Sequence, residues 1–338
     1  MPAPRLTYRQ RSIRVKRRIF VALACVLLST FASAEAQTPK VGFISSTGAS
    51  GSSSPQYEAF RGGLRDLGYI DGKNIVIHRR FAEGRLDRMP AIVNELIQQK
   101  VDVIVAANNV GIRAAKAATK TVPIVMISSV DPVVAGYVES FAHPGGNITG
   151  LAWLSRDIGA KRIEFLKELL PKMSRIGVLW DTDGPGPAIA IKEYEMAAQA
   201  FKIDFRPLGV SGPKADFADA FQTAKKERAD ALIIVGNPLM SQHAKEISEL
   251  QIKHRFATMA EDGRYVDAGI LLSYGASLAD LHRRAAGYVV DILKGAKPGD
   301  LPVKLPEKFE LAVNLKTARH LDVLVPQRVL IQADKVIK

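Results

Sequence analysis

The chain has 338 residues, of which 47% are apolar and 24% charged, enough for one large or two medium α/β domains. Its net charge of +13 points away from nucleic acid once its distribution is read, because Arg5, Arg9, Arg11, Arg14, Lys16, Arg17 and Arg18 crowd the start without one acid. The remaining 40 bases and 34 acids are spread evenly, with no basic block beside aromatics.

That basic start runs into an apolar stretch, Ile19 to Ala34, ending in the small residues Ala32-Ser33-Ala34. Basic, apolar and small regions in that order are the pattern of an export signal, with cleavage expected near Ala34. Arg17-Arg18-Ile19-Phe20 also fits a twin-arginine signal except at Lys16. Cys25 is the single cysteine. A chain cut near Ala34 therefore has no disulfide or thiolate metal site, and its core must do the stabilising.

Strand-like and helical stretches then alternate. Continuous apolar runs at 41–44, 75–81, 101–107 and 122–128 read as strands buried on both faces. Between them, 57–68, 89–100 and 111–120 place apolar residues at helical spacing. A Pro/Gly-rich break follows at 143–150. A second series has strands at 175–180, 203–210, 231–236, 256–260 and 269–275. Its helices lie near 187–201, 215–228 and 241–253. A helix over 278–293, a strand over 309–315 and a last helix complete the chain. This order predicts parallel sheets in two lobes of similar architecture, without a residue-level repeat. The expected division is a signal over 1–34, lobe 1 from 35–150 plus about 275–305, and lobe 2 from about 151–274 plus 306–338.

Ligands of open parallel sheets bind beyond the carboxyl ends of the strands. Those ends carry Ser45-Ser46, Asn108-Asn109, Ser129, Asp181-Thr182, Asn237, Glu261-Asp262 and Tyr274. They are mostly small, uncharged hydrogen-bonding residues, which hold a polar solute without reacting with it. The loop that follows Ser46 adds Ser52, Ser53 and Ser54 ahead of a helix start.

Catalytic and cofactor patterns do not fit. No G-x-G-x-x-G or P-loop lysine follows the first strand, so no nucleotide cofactor is expected. Ser211-Gly212-Pro213-Lys214 matches S-x-x-K, but its Gly-Pro reads as a turn and its companion motifs are missing. The six histidines never fall at i, i+3 or i, i+4 spacing, so they read as surface or packing residues rather than metal ligands. Tyr57, Trp153, Trp180 and Tyr274 read as packing aromatics, and Lys161-Arg162 and Arg283-Arg284 as solvated helix faces. Asp131 ahead of Pro132 reads either as a helix cap alone or as a cap that doubles as a ligand contact.

The run DPVVAGYVESFAHPGGNITG, Asp131 to Gly150, resembles the signature of the ABC-transporter substrate-binding proteins related to bacterial tryptophan/tyrosine-type binding proteins. FAEGRLDRMPAIVNEL, VDVIVAANN, GILLSYGAS, FELAVNLKTA and RRAAGYVVDILKGAKPGDLPV agree in style, so the resemblance covers the whole chain after the signal. It implies a type I periplasmic-binding-protein fold, two Rossmann-like lobes joined by three crossover strands. It also implies a periplasmic monomer, not an enzyme, that closes over a small solute and delivers it to an inner-membrane ABC permease with its cytoplasmic ATPase. The implied ligand contacts are Ser45, Ser46, Ser53, Asn108, Asn109, Ser129, Asp131, Asp181, Thr182, Asn237 and Tyr274, with no catalytic residue and no metal. The solute class is amino-acid-like or an aromatic acid. The family often has Asn-Pro where this chain has Asp181-Thr182-Asp183, so an extra acid sets this cleft apart. The alternatives are an exported ligand sensor reporting to a membrane receptor and an exported enzyme on the same scaffold.

Overall fold

The computed structural model describes residues 38–46, 54–153, 155–183, 185–212 and 215–338, with the backbone alone for 155–157 and 185–186. The signal expected over 1–34, Ser52, Ser53 and the Pro213-Lys214 end of the S-x-x-K stretch lie outside the described residues.

In the first lobe the order is β1 (Lys40–Ser45), α1 (Pro55–Asp66), β2 (Val76–Phe81), α2 (Met89–Gln98), β3 (Val103–Ala106), α3 (Asn109–Ala118), β4 (Ile124–Ser128) and β5 (Ile148–Ala152). The strands form one parallel sheet in the order β2-β1-β3-β4-β5. β3 and β4 are buried at every position, which is why they read as unbroken apolar runs. β5 begins inside what the sequence presents as a Pro/Gly-rich break. Gly150 explains this, because its φ of +134° and its approach to the Met126 backbone leave no room for a side chain.

The second lobe continues with α4 (Ser155–Leu169), β6 (Arg175–Asp181), α5 (Pro185–Ala200), β7 (Asp204–Val210), α6 (Phe217–Lys226), β8 (Ala231–Ile234), α7 (Pro238–Gln242), α8 (Ala244–His254), β9 (Ala257–Ala260), α9 (Gly263–Asp267) and β10 (Leu272–Ala276). The single helix expected over 241–253 is two, broken at His243. Asn237 with Pro238 starts the first of them one turn earlier than expected. Then come α10 (Leu278–Leu293), β11 (Phe309–Asn314), α11 (Leu315–Leu321), α12 (Gln327–Gln332) and β12 (Lys335–Ile337). The second sheet runs β12-β11-β10-β9-β8-β6-β7, parallel except for the antiparallel β10–β11 pair. β12 is a short terminal strand absent from the sequence reading.

Counted within each sheet, β2-β1-β3-β4-β5 and β7-β6-β8-β9-β10 are the same order. The chain passes between the sheets three times: from β5 to α4, from β10 to α10, and from the segment after α10 to β11. Although β10 belongs to the second sheet, α10 packs on the first. Its Leu281, Ala285, Ala286, Val289 and Val290 share a core with Val41, Phe43, Phe60 and Leu64. Gly63 permits this, since a Cβ there would strike the Arg283 carbonyl of α10. The segment after α10 stays with the first sheet, where Lys304 bridges Leu151 and the Leu301 carbonyl accepts from Thr149 Oγ1 at 2.5 Å.

Candidate functional site

A strand order that reverses direction leaves a crevice at the switch point, between the first and third strands of each sheet. Both switch points here open onto one cavity of about 570 Å³, whose walls come from both lobes. Each side is built by the turn that follows a strand. In the first lobe Ser45 ends β1 with Ser46 just after it, and Asn108-Asn109 follow β3. In the second, Asp181 ends β6 and Gly236-Asn237 follow β8.

Much of the first wall is a network of neutral side chains paired with one another. Asn108 adopts an extended backbone, caps α3 by accepting from Gly111 N at 3.0 Å, and sends its Nδ2 to Ser45 Oγ at 3.4 Å. Asn109 locks the end of β4: its Oδ1 accepts from Ser128 Oγ at 3.0 Å and its Nδ2 donates to Ser129 Oγ at 2.8 Å. Ser54, the last serine of the first loop, caps α1 by accepting from Tyr57 N. Arg113 on α3 is the cation of this wall, and Phe43, Trp153, Ala276 and Leu278 supply apolar surface.

The second wall is acidic. Asn237 caps α7 through Met240 N at 2.8 Å and donates to Asp181 Oδ2 at 2.6 Å. Asp181 Oδ1 accepts from Asp183 N at 3.0 Å, and Asp183 Oδ2 from Gly212 N at 3.1 Å. Neither carboxylate has an ion-pair partner among the described residues, which leaves negative charge facing the cavity. Asp262 differs, because Arg264 grips it with Nε and Nη2, each at 2.8 Å. Burial works to raise the Asp262 carboxyl, but the Arg264 guanidinium overrides it and holds the group below the usual carboxylate range.

Glu261 forms the floor. Its Oε2 accepts from Gly236 N at 3.0 Å, and its Oε1 accepts from Tyr194 Oη at 2.8 Å and from Arg162 Nη1 at 3.2 Å. Arg162 is completely buried, which corrects its reading as a solvated residue. Its Nε also donates to the Tyr274 carbonyl at 2.6 Å. The same guanidinium thus ties α4, just after the first passage between sheets, to β10, just before the second. Arg284, another helix-face arginine read as solvated, is mostly covered and pairs with Glu307 at 2.8 Å and Asp280 at 3.6 Å.

Of the residues expected at the site, Ser45, Ser46, Asn108, Asn109, Ser129, Asp181 and Asn237 line the cavity together. Three others lie outside its wall. Asp131 caps the turn at Val133 and Val134, so of its two expected roles the cap is the one with bonds. Thr182 binds the Val210 backbone. The Tyr274 ring packs between Phe165 and Phe309 at centroid distances of 5.1 and 6.0 Å. Wall residues not singled out as contacts include Arg113, Trp153, Glu261, Arg264, Gln242 and His282. Gln242 reaches across the cleft from the second lobe, its Nε2 lying 3.4 Å from the Gly84 carbonyl of the first. Gly84 has a φ of +80° and no side chain to block that approach.

A family model described as ABC transporter substrate binding protein matches residues 50–337. The chain belongs to that family. A curated relative, the tyrosine-binding protein of Clostridioides difficile, is 29% identical over 260 residues, which cover 77% of this chain and 74% of the relative. A crystal structure of a conserved domain protein from Vibrio cholerae O1 is 27% identical, with a TM-score of 0.78 over 89% of this chain and all of that one. The ABC domain from Streptococcus pneumonia in complex with L-Trp has a TM-score of 0.81 at 23% identity, again over 89% of this chain and all of the other. The architecture of this family member is that of the type I periplasmic binding proteins, as the sequence leads one to expect.

Proposed function

We propose that the protein is the exported solute-binding subunit of an ABC importer, with an amino-acid-like or aromatic acid as its solute. The observation that carries this reading is a cavity whose walls include the switch points of both lobes. A solute held there touches both walls and shifts an open–closed equilibrium toward the closed form, which a permease can then distinguish. The carboxylates of Asp181 and Asp183 offer an ammonium a partner, while Arg113 and the neutral serines and asparagines suit a carboxylate or another polar head. The relatives named for tyrosine and solved with L-Trp favour an aromatic side chain, and Phe43, Trp153 and Leu278 give it apolar surface. The protein acts as a monomer in the periplasm after cleavage near Ala34, with an inner-membrane permease and its cytoplasmic ATPase as partners. It turns nothing over.

A thermal-shift screen of the purified protein against amino acids, aromatic acids and other small organic acids tests this. A cognate solute at about a hundred times its Kd adds about 2.7 kcal/mol and raises the melting temperature. No shift with any amino acid or aromatic acid contradicts the solute class. Chemical conversion of a bound solute contradicts the binding-only role.

A further inference from the structure

Among the described residues, two buried polar atoms of the cavity-lining side chains have no hydrogen-bond partner, Oγ of Ser46 and Nε2 of His282. Ser46 is fully buried and His282 is 2% exposed. Both belong to the first wall: Ser46 follows β1, and His282 sits on α10, which packs against that sheet. The Phe43 ring of β1 lies 6.3 Å from the imidazole.

The ring nitrogens of His282 have different roles. Nδ1 is 2.7 Å from the Leu278 carbonyl, which can only accept, so Nδ1 carries the proton. In a neutral imidazole Nε2 is then a bare acceptor. Burial first, and the positive charge of Arg264 as well, push the imidazole down to about 4, so the ring is neutral near pH 7. Elsewhere in the cavity wall the hydrogen-bonding side chains are largely paired with one another, as Asn108 is with Ser45 and Asn109 with Ser128 and Ser129. Beside Phe43 and Leu278, an acceptor with no donor costs free energy until one arrives.

We propose that His282 Nε2, helped by the Ser46 hydroxyl, forms a subsite that selects solutes with an N–H or O–H donor on their ring, as in a phenol or indole, over bare-phenyl equivalents. The inference rests on the aromatic solute proposed above and adds the feature by which such solutes are told apart. A pocket built to receive a hydrogen bond rejects an analogue lacking the donor far more strongly than an apolar pocket rejects a missing methylene.

Calorimetric titration of the wild type, His282→Leu and Ser46→Ala with tyrosine, tryptophan and phenylalanine tests the selection. The expected result is at least about a tenfold preference of the wild type for a donor-bearing ring over phenylalanine. In His282→Leu that preference collapses, and in Ser46→Ala it shrinks. Equal binding of all three by the wild type overturns the proposal, as does an undiminished preference in His282→Leu. Nitrogen-15 NMR of the solute-free wild type at pH 7 gives a second reading, with a neutral ring protonated at Nδ1 expected. A proton on Nε2 overturns the subsite whatever the solute. If Nε2 is bare and none of the three amino acids binds, it is the aromatic solute class that fails.

Discussion

In the first lobe the asparagine capping the helix after β3 reaches back to a serine at the end of β1; in the second, the asparagine capping the helix after β8 reaches back to an aspartate at the end of β6. The frame is the same, with matching strand order, extended capping residue and side-chain bond to a backbone N–H three residues on. The chemistry is not. The first wall is neutral and apolar around one arginine. The second holds two carboxylates without ion-pair partners among the described residues and rests on a buried guanidinium. Repeated topology brings equivalent strand ends to the cavity in each lobe, and a few side chains at equivalent places give the two walls different chemistry.

The largest expected effect lies under the second wall. Arg162→Met leaves Glu261 buried without its cation, which should cost about 3–5 kcal/mol, read by urea denaturation. Tyr194→Phe removes the hydroxyl that donates to Glu261 and accepts from Arg162, and should cost about 1–3 kcal/mol. Costs below about 1 kcal/mol for both would mean that the acidic wall does not depend on its buried floor.

The next effect belongs to the first wall. Below about pH 6.5 the unfolded chain protonates His282 while the folded chain, with the imidazole held near 4, does not. Stability is therefore full above about pH 6.5 and falls as the pH drops toward about 4, by about 3 kcal/mol from this group. Comparing wild type with His282→Leu across that range isolates it. Parallel stability curves would show that His282 titrates normally.

Asp181→Asn removes charge from the second wall and should weaken an amino-acid solute by about 1.5–3 kcal/mol, roughly 10- to 150-fold, in calorimetry. Unchanged affinity would place the ammonium elsewhere. The smallest effect compares the two caps. Asn108→Ala should cost about 1 kcal/mol and Asn237→Ala more, up to about 2 kcal/mol, because Asn237 also donates to a carboxylate at 2.6 Å. Equal costs would erase the difference between the walls at this position.

The lobes were readable in the sequence because buried parallel strands are continuous apolar runs, and much of the cavity was readable because strand ends in such sheets face the ligand. β5 was hidden by Gly150, whose conformation breaks the composition of a strand without breaking the strand. Arg162 was misread by its charge, although its spacing held the signal. Ile158, Phe165, Leu166 and Leu169 lie four before and three, four and seven after it, all buried on one helix face. His282 carried less. Only three-dimensional packing pairs one of its nitrogens with Leu278 and leaves the other bare. The outward placement of Tyr274 likewise depends on Phe309 of the antiparallel strand β11, a partner that strand-end position alone does not reveal.

The central claim is that one solute spans both walls. Calorimetric titration of the same solute into Ser46→Ala, Asp181→Asn and the double variant tests it most directly. The account predicts that each single change weakens binding and that both act on one stoichiometric site. Weakening by only one of the two, or by neither, would contradict it.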